Sequence, residues 1–203
     1  MNFNFTKNCD DFSYIAEKNN LIYQMRLSLA LRQRKIFLYD MIDENSITET
    51  MYYLHRLMEA DSISGEKKPI EILINSNGGY CYDGLSLISL IESMIDNGYN
   101  IITTNMGRAF SMGFMIAISG SERRSYRYSR YMFHDVSSGT YGKLELMEKD
   151  LEETKILRDM IYEITCKKTS LTKEQMADWQ HHHIDKYFSS EEALEFHITD
   201  KIV

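Results

Sequence analysis

The stretch that decides the fold is the apolar run IEILI at residues 70–74, which leads through NSNGG at 75–79 into an apolar helical segment at 82–95. A short apolar run bounded by turn residues is typical of a buried strand, and apolar residues at helical spacing predict a helix. Two further strand-then-helix units occur at residues 35–60 and 100–118. Repeated units of this kind predict crossovers between parallel strands, and therefore an α/β fold with a parallel sheet covered on both faces.

The rest of the chain continues the alternation around one core. In chain order, the patterns predict a first helix at residues 20–33, a strand or tight hairpin at 123–133, a long helix at 144–166, a short helix at 172–180 and a last helix that opens at Ser190. Residues 1–18 are polar and without periodicity, which predicts an N-terminal arm or loop. No linker-like stretch interrupts the remainder, so residues 19–203 are predicted to form a single domain.

Composition excludes several classes of function. The chain has 203 residues, 43% of them hydrophobic, one proline and a net charge of −7, which indicates a folded globular protein. The negative charge argues against nucleic acid and anionic membranes as partners, although arginines and tyrosines interleaved at 123–131 could suggest a nucleic-acid surface. No apolar run of membrane-spanning length and no secretion signal is visible, so we expect a cytoplasmic protein.

Cysteine and histidine spacing does not predict a metal site. Cys9, Cys81 and Cys166 are odd in number and far apart, without a C-x-x-C pair, which suggests neither a disulfide framework nor a thiolate site. The run of three histidines at 181–183 invites a metal interpretation, but adjacent residues in an extended segment point to alternate sides. We expect no metal and no cofactor.

Two loops have the features that stabilisation of an oxyanion needs. Each follows a predicted strand and leads into a helix, so that unpaired amides gather at the carboxyl end of the sheet. In the first loop, Gly78 and Gly79 allow close approach of a ligand and leave a strand edge open to an extended peptide. In the second, Ser111 stands at a helix start beside Met112 and Gly113. Taken alone, these features also fit an ordinary N-cap serine and turn glycines.

A serine nucleophile requires a base and an acid that orients the base. His134 follows an apolar strand segment, and Asp185 precedes another. The chain order Ser, His, Asp differs from that of the α/β-hydrolases, whose G-x-S-x-G elbow would also require a glycine where Ala109 stands. From the pattern alone, a structural histidine and a solvated aspartate remain the alternative.

Four segments together resemble the ClpP family, the proteolytic subunits of the Clp protease. They are NSNGG at 75–79, GRAFSMG at 107–113, RYMFH at 130–134 and DKYFSSEEA at 185–193. The resemblance runs from about residue 27 to residue 203, and the segments occur in the family's order and approximate spacing. It implies the ClpP/crotonase-like fold of stacked βαβ units, with a protruding helix-strand handle at about 134–165.

The resemblance also implies a role for each site residue. Ser111 would be the nucleophile, His134 the base and Asp185 the residue that orients it, with the backbone amides of Gly79 and Met112 as the oxyanion hole. A helix start at Ser111 places the Met112 amide beside the attacked carbonyl, which agrees with this assignment on physical grounds.

The implied function is that of a serine endopeptidase that degrades unfolded polypeptides inside a ring chamber. The chain has no phosphate-binding loop of the G-x-x-x-x-G-K-[ST] type, so ATP dependence would come from a separate AAA+ unfoldase. Heptameric rings, stacked in pairs, are implied as well. An apolar stripe at Ile156, Leu157, Met160, Ile161 and Ile164 in the long helix independently suggests burial against another subunit.

Three departures from the family pattern affect these expectations. Asn77 stands at the usual proline, Asp135-Val136 at the usual Gln-Pro, and Ile184 at the usual arginine before the acid. Loss of that arginine puts the pairing of rings in question. Two other functions remain open: a catalytically silent ring subunit, which would predict loss of a triad residue, and a crotonase-type acyl-CoA enzyme, which would not need Ser111 and His134 together.

Overall fold

A computed structural model describes residues 21–22, 24–137, 139 and 141–203. Its elements, in chain order, are α1 (residues 24–33), β1 (Lys35–Ile42), α2 (Glu44–Ser64), β2 (Ile70–Gly79), α3 (Cys81–Asp96), β3 (Ile101–Phe110), α4 (Met112–Ala117), β4 (Glu122–Ser125), β5 (Arg130–Phe133), α5 (Leu144–Lys168), α6 (Lys173–His181), β6 (Lys186–Ser189), α7 (Ser190–Glu195) and β7 (Lys201–Ile202). The N-terminal arm predicted at 1–18 lies outside the described residues.

The seven strands of the described chain form one mostly parallel sheet in the order β1-β2-β3-β4-β7. Strand β5 lies off this path, parallel to β3 and antiparallel to β6. The predicted α/β fold is confirmed, because the helices alternate with parallel strands as the sequence pattern requires.

The centre of the sheet is buried on both faces. Leu73 lies between Ile72 and Ile74 on β2, and all three are buried although consecutive side chains point to opposite faces. Leu54 and Leu57 of α2 belong to the same buried core. This two-sided burial explains why β2 is a continuous apolar run rather than an alternating one.

The prediction of one strand or a tight hairpin at 123–133 is wrong. Two separate strands form, and they do not pair with each other: β4 pairs with residues 102–105 of β3, and β5 pairs with Arg108–Phe110 further along it. A turn closed by the Ser129 amide donating to the Tyr126 carbonyl separates them. Because β3 has ten residues, it is long enough to pair with both in succession.

Helix α5 is covered by the domain along its C-terminal half and exposed along its N-terminal half. Leu157 and Ile161 are buried, whereas Ile156 and Met160 of the predicted stripe are exposed. Leu144 and Leu151, nearer the helix start, are 72% and 53% exposed. The apolar side chains of the first turns therefore have no cover within the described chain. None of the described helices combines the length and apolarity required to cross a membrane.

Candidate active site

The pairing of β3 with β5 brings Ser111 and His134 together. The parallel register matches Phe110 with Met132, so the residues that follow each strand, including Ser111 and His134, leave the sheet at the same place. The Ser111 amide donates to the Met132 carbonyl at 2.8 Å, which extends the ladder to the serine itself. A serine and a histidine 23 positions apart thus share one edge of the sheet because their strands are neighbours.

A buried asparagine holds these two strands in place. Asn105 is fully buried in β3, and its side-chain amide donates to the Arg130 carbonyl of β5 at 2.9 Å. Its side-chain oxygen accepts from the Gly107 amide at 3.1 Å. Buried polar groups are retained when they are hydrogen-bonded, and this one links the serine strand to the histidine strand. No motif in the sequence indicated Asn105, whose signal is an amide directly after the strand predicted from residue 100.

Ser111 has a strained backbone that presents its hydroxyl. Its φ is 53° and its ψ is −121°, a combination that residues with a side chain rarely adopt. It occupies the N-cap of α4, but its side chain makes no capping hydrogen bond. Instead, Ser111 Oγ lies 2.7 Å from His134 Nε2. The hydroxyl is therefore available for chemistry and is paired with a potential base.

The two glycines of β2 are required by the space around Ser111. Gly78 has a φ of 94°, and a Cβ there would lie 2.6 Å from the Ser111 Cβ. A Cβ at Gly79 would lie 2.1 Å from the Ile42 carbonyl oxygen. Ser76, fully buried, accepts from the Gly78 amide at 3.0 Å through its hydroxyl, which fixes the path of the chain. Ser76 is a second positioning residue, and no pattern in the sequence indicated it.

Asp185 reaches the same region through β6, but it is not hydrogen-bonded to the histidine. The antiparallel register of β5 with β6 matches Phe133 with Lys186. Asp185, just before β6, therefore lies beside His134, just after β5. Both side chains line a cavity of about 800 Å³, here called the Asp185 cavity, together with His181 and His183. Neither a hydrogen bond nor an ion pair joins His134 to Asp185 in the described structure. The topology brings Ser111, His134 and Asp185 to the same region, and the hydrogen bond is formed between Ser111 and His134.

A second, smaller cavity opens directly beside the serine. This Ser111 pocket has a volume of about 330 Å³ and is lined by Gly79, Ser111 and His134, with Met112, Met115 and Met132 among its apolar walls. Cys81 also lines it, and burial raises the pKa of its thiol, which disfavours the reactive thiolate.

An aromatic cluster joins the elements that carry the three residues. Phe114 of α4 packs edge-on against Tyr131 and Phe133 of β5 and stacks on Phe188 of β6. Trp179 of α6 contacts both Phe133 and Phe188. Aromatic pairs of this kind contribute about 0.5–1.5 kcal/mol each beyond burial. The cluster thus links the helix after Ser111 to the strands that end at His134 and begin beyond Asp185.

The basic residues of β4 are used within the fold. Arg123 pairs with Asp200 at 2.5 Å, and Arg124 pairs with Glu122 at 2.8 Å. Hydrogen bonds from Arg124 and Lys201 lower the pKa of Glu122 to about 2. Arg123 therefore fastens β4 to the segment that leads into β7, and Arg124 is paired within β4 itself. Of the three adjacent histidines, His182 contacts Asp178, and no group of described side chains is arranged to hold a metal ion.

The site has a serine hydroxyl hydrogen-bonded to an imidazole, at the end of parallel strands and beside a pocket lined by glycine. This arrangement is that of the serine hydrolases. A family model described as Clp protease matches residues 17–203, and the chain belongs to this family. Proteolytic subunit 3 of the ATP-dependent Clp protease of Rhodococcus jostii (strain RHA1) is 30% identical over 174 residues, or 85% of this chain and 82% of the relative. Proteolytic subunit 1 from Salinibacter ruber (strain DSM 13855 / M31) is 29% identical over 181 residues, or 87% and 72%.

Membership confirms the resemblance seen in the four segments, and it makes the chain a serine endopeptidase of the ClpP type. The match begins at residue 17 and therefore covers all the elements that position Ser111 and His134.

Substitution of Gly78 tests the close packing around Ser111. Gly78→Ala should lower the peptidase rate by about 10²-fold, because the new Cβ displaces Ser111 and displacements of about 1 Å in a catalytic site have effects of that size. Gly98→Ala is the matched control, since Gly98 also has a positive φ, of 82°, but a Cβ added there would have no atom within 4 Å. Cleavage of a short fluorogenic peptide and thermal melting are measured for both. Equal rates in the two variants would show that Gly78 does not support the site.

Proposed function

We propose that this chain hydrolyses unfolded polypeptides through a Ser111–His134–Asp185 triad. The observation that carries the proposal is the 2.7 Å contact between Ser111 Oγ and His134 Nε2 at the mouth of the Ser111 pocket. A hydroxyl is a weak nucleophile unless a base accepts its proton, and the imidazole is placed to do so.

The remaining steps follow from the groups around the serine. Ser111 Oγ attacks the peptide carbonyl while His134 takes the hydroxyl proton, and the carbonyl oxygen becomes an oxyanion. The amides of Gly79 and Met112 are the proposed donors to that oxygen; Met112 begins α4, so its amide has no partner within the helix. His134 then protonates the leaving amine, and water hydrolyses the acyl-enzyme by the same route.

Asp185 is proposed to orient His134 and to stabilise the imidazolium. The support is topological, because β6 runs beside β5 and both residues line the Asp185 cavity. Asp135 is the competing carboxylate, but it is adjacent to His134 in the chain, and consecutive extended residues project to opposite sides. Contact between Asp185 and His134 would have to form when substrate closes the site, as catalytic hydrogen bonds often do.

The substrate is proposed to bind as an extended strand. Strand β2 is paired with β3 as far as Ser76, which lies opposite Ala109. On its other side, β2 remains paired with β1 as far as Gly79. The side of Asn77–Gly79 that would face β3 is therefore open to backbone pairing. An extended peptide held there would carry its carbonyl past Ser111, which favours unfolded chains as substrates.

The assembly is proposed to be a heptameric ring, stacked in pairs, that receives substrate from a separate AAA+ unfoldase in the cytoplasm. Two features support it: the relatives are named as subunits of an ATP-dependent protease, and the first turns of α5 expose apolar side chains. In this proposal residues 1–18 are an arm, residues 19–203 are one peptidase domain, and the handle at about 134–165 contains the exposed part of α5.

Covalent labelling tests the nucleophile. A fluorophosphonate probe should add one label, at Ser111, because Ser111 alone among the candidate nucleophiles is paired with His134. Intact-mass analysis of the chain and of Ser111→Ala measures this. Gly98→Ala, which is remote from the serine, should label at the normal rate. Labelling that persists in Ser111→Ala would refute the assignment.

The role of the acid is tested by two amide variants. Asp185→Asn should fold and assemble, yet lose up to about 10⁴-fold in peptidase rate, since an amide favours the wrong histidine tautomer. Asp135→Asn is compared on the same fluorogenic peptide and should lose less. An inactive Asp135 variant beside an active Asp185 variant would assign the orienting role to Asp135.

Light scattering tests the assembly. The chain should have a mass several times its monomer mass of 23.9 kDa, with the assembly weakened by salt because the first turns of α5 are highly charged. Leu151→Glu should shift the mass downward, since it places a charge on the exposed apolar face of α5. Ile63→Glu, at an exposed apolar position of α2, is the control. A monomer at micromolar concentration, insensitive to salt, would contradict the proposed ring.

A further inference from the structure

The Ser111 pocket combines an apolar wall with one carboxylate. Met112, Met115 and Met132 provide flexible apolar surface, and Ile161 adds to it. Among the described residues that line the pocket, Asp135 is the one acidic side chain. A shielded carboxylate is an expensive arrangement unless something pairs with it.

One oxygen of this carboxylate lacks a partner. Asp135 Oδ1 is shielded from solvent and has no hydrogen-bond partner in the described structure. Most buried polar atoms are hydrogen-bonded, and leaving a charged one unpaired costs more than leaving a neutral one. A bound molecule that brings a hydrogen-bond donor to this oxygen would therefore be favoured.

Lys155 and Arg158 of α5 line a neighbouring cavity with Asp135, but neither forms a hydrogen bond or an ion pair with it in the described structure. Arg158 of α5 donates through Nε and Nη2 to Asp159 Oδ1, at 3.1 and 2.8 Å. The bond to Asp159 raises the Arg158 pKa, and the negative charge of Asp135 adds to that effect. Burial, and then the charge of Asp135, raises the pKa of Tyr162 to about 12. The field of Asp135 thus reaches its neighbours while its Oδ1 remains unpaired.

The position of the pocket determines which part of a substrate enters it. Gly79 and Met112, the proposed oxyanion donors, line the same pocket as Ser111. The attacked carbonyl must therefore lie at the mouth of the pocket, and the side chain of the residue that owns this carbonyl enters it. A carboxylate in such a pocket selects a basic side chain.

We propose that Asp135 is a specificity-determining residue, which favours lysine or arginine immediately before the cleaved bond. This inference rests on the proposed peptidase function. The methylenes of such a side chain pack against the three methionines, and its cationic group bonds to the carboxylate. A methionine or leucine at the same position fills the apolar part but leaves Asp135 Oδ1 unpaired.

Hydrolysis of matched peptides tests the preference. Two fluorogenic peptides that differ only in lysine or methionine before the scissile bond are compared by kcat/KM. In Asp135→Asn the lysine-to-methionine ratio should fall by about 10- to 100-fold, the scale of a charge-assisted hydrogen bond. Asp135→Leu should lower it at least as much. Glu195→Gln removes an equal charge from an exposed position on α7, outside the proposed interface, and should leave both rates unchanged.

A binding measurement separates this inference from the proposed reaction. In Ser111→Ala, product-like peptides ending in lysine or methionine are titrated by fluorescence anisotropy, with and without Asp135→Asn. Tighter binding of the lysine peptide that disappears with Asp135→Asn supports the specificity inference. Failure of the unmodified protein to hydrolyse either peptide would refute the proposed peptidase function and would leave that binding result standing. A lysine-to-methionine ratio that Asp135→Asn leaves unchanged, in binding or in hydrolysis, overturns it.

Discussion

The site depends on one topological constraint: β5 lies between β3 and β6. Because β5 is parallel to β3 and antiparallel to β6, the end of β3, the end of β5 and the start of β6 meet at one edge of the sheet. Those three points carry Ser111, His134 and Asp185. A shift of one residue in either register would turn the affected side chains to the other face of the sheet. The buried side chain of Asn105, which bonds across to β5, opposes such a shift.

The same constraint allows the strain at the serine. A positive φ at Ser111 is unfavourable by itself, and such a conformation persists where the surroundings determine it. Here the Ser111 amide is bonded to β5, and Phe114, three residues later, packs in the aromatic cluster with Phe133 and Phe188. The aromatic packing and the backbone hydrogen bond together stabilise a positive φ at Ser111 that is unfavourable for the residue by itself.

The parts of the fold that could be predicted are those that depend on local pattern. Apolar runs and helical spacing predicted the alternating units, and the four family-like segments predicted the Clp protease family. The pattern did not predict that β2 would continue through Asn75–Gly79, since asparagine and glycine disfavour strands. Ser76 holds that extension by a tertiary hydrogen bond, donated by its hydroxyl to the Asp40 carbonyl of β1, which no local pattern contains. The division of 123–133 into two strands likewise depends on the length of β3.

Helix α5 shows a further limit of pattern and connects two functions of the chain. Its periodicity identified apolar residues but not where the domain's own core ends, so Ile161 is buried in the Ser111 pocket while Met160 beside it is exposed. Further toward its start, Glu153 accepts a hydrogen bond at 2.6 Å from Tyr82 of α3, the helix that begins at Cys81 in the same pocket. One rigid helix therefore carries a wall of the pocket at one end and the uncovered apolar face at the other. Whatever covers that face also restrains the pocket wall, because a continuous helix moves as a unit.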